Sequence, residues 1–194
     1  MKAFSIAFDF KRDININDRI SNLIEDNVSI GFSNKISTPT FAMFEKANEH
    51  SIIITSNQYA YKINSEINET DIENLSDEIM LSIKSLYDVM QQSSYHVRLV
   101  DIKPCKDVFS KLKDFNNFSK TDNNIIGTGY RYLFYHKDVL SEFKAEPYIQ
   151  LSDRLFYEFI YNFNGFSSES SLSDEFKKIL SDSNKKIMDF EKNI

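Results

Sequence analysis

The sequence predicts an α+β protein built on a mainly antiparallel sheet with two to four helices packed on it. Three observations point that way. Apolar and polar side chains alternate over residues 3–10, 94–102, 130–134 and 155–163, which is the period of a strand with one buried face. Apolar positions recur at helical spacing over 75–90 and 172–190, as on the buried stripe of a surface helix. The strands come in runs, without the strict β-α-β alternation that a parallel sheet requires.

In chain order, residues 3–10 place Phe4, Ile6, Phe8 and Phe10 on one side and Ala3, Ser5, Ala7 and Asp9 on the other. Asn17 reads as a helix cap before Ile20, Leu23 and Ile24, with the helix expected to end near Asp26 and Asn27. Residues 28–32 read as a strand and 33–38 as a polar loop, and Pro39 opens a second apolar run through Phe44. Residues 51–64 form a hairpin that turns near Ser56 and Asn57. Thr70 and Glu73 have capping-box spacing, and Leu75, Ile79, Ile83, Leu86 and Met90 make one continuous helical stripe.

Residues 94–102 return to strand period, with Tyr95, Val97 and Leu99 on one face and His96, Arg98 and Val100 on the other; Pro104 ends the run. A short helix is expected over 107–115 and a polar loop over 116–124. A strand over 125–136 is read as central, and one over 143–151 as an edge or as bent at Pro147. Ser152 and Asp153 turn into a strand over 154–163, and a linker over 165–170 leads to a last helix, 171–191, capped by Ser171. That helix packs on the rest or mediates association. No internal repeat is visible and no boundary divides the chain, so 1–194 reads as a single domain.

Composition excludes several function classes. Four glycines in 194 residues leave no glycine-rich phosphate loop. A net charge of −6, only five arginines and no Lys/Arg run longer than two argue against nucleic acid and against an anionic membrane surface. Cys105 is the single cysteine, so neither an intramolecular disulfide nor a cysteine zinc cage is expected. No stretch approaches a membrane span or a signal peptide, and a reducing cytoplasm is the expected location. The three histidines stand apart from one another, no serine sits in a G-x-S-x-G frame, and neither a cofactor nor a metal is expected.

Two groups of residues remain as candidates. His96 and Arg98 project to one face of their strand, and Arg131 lies opposite Tyr130 and Tyr132 in the next aromatic run. Were those strands neighbours, the three would make a small cationic patch suited to a carboxylate or phosphate; local Asp and Glu residues are the competing partners. Tyr130, Tyr132, Tyr157 and Tyr161 belong to 129–163, a stretch that holds 11 of the 27 aromatic residues. Strand 155–163 is apolar on both faces apart from Glu158 and Asn162, so it is central with both faces covered, or it lies between copies of the chain.

The G-Y-R-Y of 129–132, the hairpin I-I-I-T-S-N-Q-Y-A-Y-K-I and the helix between them resemble a sporadically distributed family of uncharacterised bacterial proteins with a G-x-R-Y strand. The resemblance covers some two-thirds of the chain in the order of elements and few residues in identity. It implies a bacterial or phage origin and carries no activity. The sequence reading is therefore a non-enzymatic cytoplasmic protein-interaction module of the inhibitor, immunity or accessory kind, acting on another protein or on a second copy through an acidic and aromatic surface. The alternative is a small-ligand or catalytic domain in which Arg98 and Arg131 hold an anion, His96 acts as acid or base, and the pocket lies between the sheet and the 74–91 helix.

Overall fold

The computed structural model describes residues 1–47, 49–115, 129–148, 151, 153–167 and 171–194. Its strands are β1 (Ala3–Asp9), β2 (Ser33–Thr38), β3 (Phe41–Lys46), β4 (His50–Thr55), β5 (Gln58–Ile63), β6 (Ser94–Pro104), β7 (Tyr130–His136), β8 (Val139–Pro147) and β9 (Arg154–Phe163). The helices are α1 (Ile20–Ser29), α2 (Ile72–Ser82), α3 (Tyr87–Met90), α4 (Val108–Phe115) and α5 (Leu172–Glu191). All nine strands form one sheet in the order β2-β3-β4-β5-β1-β6-β9-β8-β7, and each neighbouring pair is antiparallel. This is the α+β architecture that the alternation and the runs of strands require.

Alternation sorts the side chains between two unequal faces. Phe4, Ile6 and Phe8 of β1, Tyr59 and Tyr61 of β5, Val97 and Leu99 of β6, and Phe159 and Tyr161 of β9 are all buried on one side. They join Ile72, Leu75 and Ile79 of α2, Leu112 of α4, and Phe176, Ile179 and Ile187 of α5 in one continuous cluster. Each such side chain contributes about 1.5–3 kcal/mol of burial. The opposite-facing Ala7, Ala60 and Val100 are also buried but lie outside that cluster. Among the described residues, the helices stand on one side of the sheet only.

The two halves of the chain follow related but unequal paths, five strands before α2 and four before α5. From β1 it crosses through α1 to the far edge and meanders back, so that β5 pairs with β1 before α2 begins. From β6 it crosses through α4 and meanders back, so that β9 pairs with β6 before α5. β1 and β6 meet antiparallel at the centre, with Ile6 opposite Val97. Tyr61 then stands opposite Ile6, and Tyr161 opposite Val97. Each hydroxyl donates to a helix carboxylate, Tyr61 to Glu78 of α2 and Tyr161 to Asp182 of α5.

Local differences from the sequence reading have identifiable causes. The cap before α1 is Asn15, whose side chain accepts from the Asn17 amide at 3.1 Å and starts a single 3₁₀ turn. α1 runs on to Ser29, and Gly31, at φ 92°, supplies the left-handed turn out of it. Residues 28–32 are therefore helix end and turn, not a strand, while the expected polar loop at 33–38 is β2. An edge strand held only by backbone bonds to β3 needs no apolar face, so its composition hides it.

Asp71 caps α2 without a side-chain bond, and Glu73 pairs instead with Lys177 of α5 at 2.6 Å. The long stripe breaks after α2 into a 3₁₀ turn and the short α3; Ser82 Oγ donates back to the Ile79 carbonyl at 2.7 Å there, a bond that competes with helix continuation. β7, expected to be central, is an edge strand, and β8, expected to be an edge, lies between β7 and β9. Pro147 is tolerated because it is the last residue of β8, beyond the reach of β7, whose first partner is Ala145. Ser171 does cap α5, accepting from the Asp174 amide at 3.2 Å. The loop expected over 116–124, the first residues of the 125–136 strand, and parts of the 152–153 turn and the 165–170 linker lie outside the described residues.

Candidate functional site

The helix-free face is where the candidate residues of β6 and β7 project. Its central row follows from the register: Ile36, Met43, Ile53, Ala60, Ala7 and His96 lie side by side across β2, β3, β4, β5, β1 and β6, and Asn162 of β9 continues it. Leu140 and Tyr135 pair with each other at the β8–β7 end of the same face. Of these, Ile36, Leu140 and Tyr135 are well exposed, Tyr135 at 77 %. Neighbouring apolar side chains on a sheet face that no described helix covers are a feature that a lone soluble chain usually keeps small.

Beside that row runs a chain of ion pairs. Arg98 Nε of β6 donates to Glu158 Oε1 of β9 at 2.5 Å, and Lys144 of β8 donates to Glu158 Oε2 at 2.7 Å. Lys144 also lies 3.1 Å from Glu142 Oε1, and Arg131 Nη2 of β7 donates to Glu142 Oε2 at 2.5 Å. Burial raises the Glu158 carboxyl, yet Lys144 and Arg98 outweigh it and hold the carboxyl below its ordinary range. The same opposition of burial by Arg131 and Lys144 lowers Glu142, and the hydrogen bond to Glu158 raises Lys144. Glu142, Lys144 and Glu158 are each pushed towards their charged form.

The structure therefore brings His96 and Arg98 to one face, as the alternation implies, and puts Arg131 on that face too. It does not make them a patch. β9 and β8 stand between β6 and β7, so about 14 Å of sheet separates the two arginines at three strand spacings. The face is also the one turned away from α2, so no pocket between the sheet and the 74–91 helix includes these side chains. The cavity between the sheet and α2, lined by Phe4, Leu75, Leu99 and Phe176, is apolar and only about 10 Å³, about the space of one water. Burial lowers the His96 imidazole against an opposing pull from Asp9.

The four tyrosines divide. Tyr157 and Tyr161 are fully buried; their hydroxyls donate to Glu191 at 3.1 Å and to Asp182 at 2.7 Å, which ties β9 to α5. They are core, not surface. Tyr130 packs edge-on against Phe190 of α5, with ring centroids 5.7 Å apart. Tyr132 stacks on Phe143 and remains 42 % exposed. Tyr135 escaped the sequence reading, although its parity with Arg131 was the signal that places it on the open face.

Polar groups on the helix side had no sequence signature. Glu78 receives Lys46, His50 and Tyr61 from three separate elements. Burial pushes its carboxyl up, but hydrogen bonds from His50, Lys46 and Tyr61 prevail and hold it at about 2. Glu175 of α5 is bonded by His136 and Lys137, which hold its carboxyl below the ordinary range against burial, beside a cleft of about 400 Å³ lined by Tyr95, Asn164, Ser171 and Lys178. Each carboxylate is matched by cations or a hydroxyl, the arrangement expected of structural ties. Among the described residues, no group of His, Cys, Asp and Glu is placed to hold a metal ion, and no helix is long and apolar enough to cross a membrane. No protein-family model matches the chain, and no curated protein matches it.

Proposed function

We propose that the chain is a non-enzymatic protein-interaction module, of the inhibitor, immunity or accessory kind, that meets its partner with the helix-free face of its sheet. The observation that carries this reading is the unequal treatment of the two faces. One is packed under helices; the other bears an apolar row from Ile36 to His96 beside an ion-pair ladder whose charges are already matched. A surface ordered by strand pairing, with its polar groups satisfied, loses little freedom on docking. The chain's net charge of −6 favours faster encounter with a basic partner.

The anion-binding alternative has weaker support. Arg98 and Arg131 each carry a carboxylate at 2.5 Å, so a ligand would have to displace Glu158 or Glu142 first. The test is affinity capture from the native host with the unaltered chain and with a Met43→Glu, Ile53→Glu double variant, each checked for an unchanged melting temperature. A specific protein recovered by the unaltered chain and lost from the variant is the expected result. Equal recovery by both, or recovery of nothing specific, would sink the reading.

A further inference from the structure

The edge strand β7 carries an inference independent of the open face. Two residues, Lys137 and Asp138, join it to β8, both with positive φ (47° and 63°), the signature of a type I′ turn. In a two-residue hairpin the closing pair, here His136 and Val139, exchanges both backbone hydrogen bonds, and hydrogen-bonded and non-bonded pairs then alternate. Tyr130, Tyr132, Phe134 and His136 therefore direct their amides and carbonyls at β8. Arg131, Leu133 and Tyr135 direct theirs outward, along an edge that bears no further strand among the described residues.

That edge is self-complementary. If a second β7 is laid antiparallel with Leu133 opposite its own copy, the outward groups of Leu133 meet each other, and those of Arg131 meet those of Tyr135. All are then paired. On the open face, Leu133 meets Leu133 and each guanidinium lies beside a Tyr135 ring, a favourable cation–aromatic contact. On the helix side, Tyr132 of one copy meets Phe134 of the other, at the mouth of each chain's own groove of about 420 Å³ lined by Tyr132, Phe134, Phe143, Lys186 and Phe190.

Shifting the centre to Phe134 would set Arg131 opposite Lys137, a like-charge pair that destabilises. Shifting it to Tyr132 would leave Tyr135 facing Gly129, with fewer paired residues. We infer that two copies of this chain join β7 to β7 in that Leu133-centred register, making one continuous sheet across a two-fold axis, an isologous contact of the commonest kind.

The experiment is sedimentation velocity over a concentration range of about 1–200 µM, on the unaltered chain and on Leu133→Glu and Leu133→Lys. Leu133 is 58 % exposed and points away from the core, so circular dichroism should show both variants folded. The unaltered chain is expected to dimerise. Each variant, setting like charges against each other, should dissociate at least about tenfold more readily. An equimolar mixture of the two should re-form a dimer, with one chain of each kind by native mass spectrometry. A chain that stays monomeric throughout overturns the inference, as does a dimer that neither substitution weakens. Variants that separate but fail to recombine overturn the self-opposed register.

Discussion

Among the described residues, β2 and β7 are the strands of the sheet with a neighbour on one side only, and they treat that exposure in opposite ways. β2 is Ser-Asn-Lys-Ile-Ser-Thr, largely exposed, with a register shift between Asn34 and Ile36 and Lys35 beside Glu45. Polar residues, a lysine and a bulge are the devices that keep an edge from pairing with another chain. β7 is Tyr-Arg-Tyr-Leu-Phe-Tyr-His in unbroken register with β8, and it has none of them except Arg131, whose charge Glu142 answers. A long regular aromatic edge beside a protected one teaches that exposure at β7 is a property of that edge and not of the sheet.

The largest expected effect comes from removing what holds the aromatic edge in place. Phe143 is stacked on Phe159 at 4.6 Å and also touches Tyr132, Tyr157 and Phe190. Phe143→Ala should cost about 3–5 kcal/mol in urea unfolding, whereas Ile36→Ala, on the exposed polar edge, should stay within about 0.5 kcal/mol. Similar losses at the two sites would erase the contrast.

A smaller effect separates the supports of the two edges by pH. Glu78, which anchors Lys46 of β3 and Tyr61 of β5, sits at about 2 against an ordinary 4.5. A carboxyl lowered on folding stabilises above its unfolded value, and that contribution disappears as pH falls from about 4.5 to about 2. Glu78→Gln should therefore cost about 2–3 kcal/mol at neutral pH and flatten the acid limb of stability against pH. An acid limb that keeps its slope would remove Glu78 from this account.

Amide exchange sharpens the comparison further. The Leu133 amide should become more protected as concentration rises, and the amides of β2 should not. Protection of both edges, or of neither, would mean that the edges behave alike. The smallest effect belongs to the ladder: Arg131, with its side chain 66 % exposed, should lose no more than about 1 kcal/mol on substitution by Ala, as read from melting curves. A larger loss would make the ladder a structural element of the edge.

How far all this was legible varies by residue. Phe4 to Phe10, Ile52 to Ile63 and Leu155 to Phe163 were readable as strands, because alternation is local and one buried face imposes it. β2 was not, since an edge strand is held by backbone bonds and leaves no apolar signature. His96 and Arg98 were rightly set on one face, but parity does not say which strands lie between them and Arg131. Nor could it say that Tyr157 and Tyr161 face helices while Tyr135 faces outward.

By itself, then, the sequence determined the fold class, the composition of each face of the alternating strands, and the cap and stripe of α5. Those follow from periods of two and 3.6 residues acting within one segment. Only the tertiary structure decided the strand order, and with it the edges among the described residues, the partners of Arg98 and Arg131, and the side of the sheet on which the described helices pack. Such choices rest on contacts between residues far apart in the chain. Which strands meet depends on which crossovers and meanders can bury every apolar face at once.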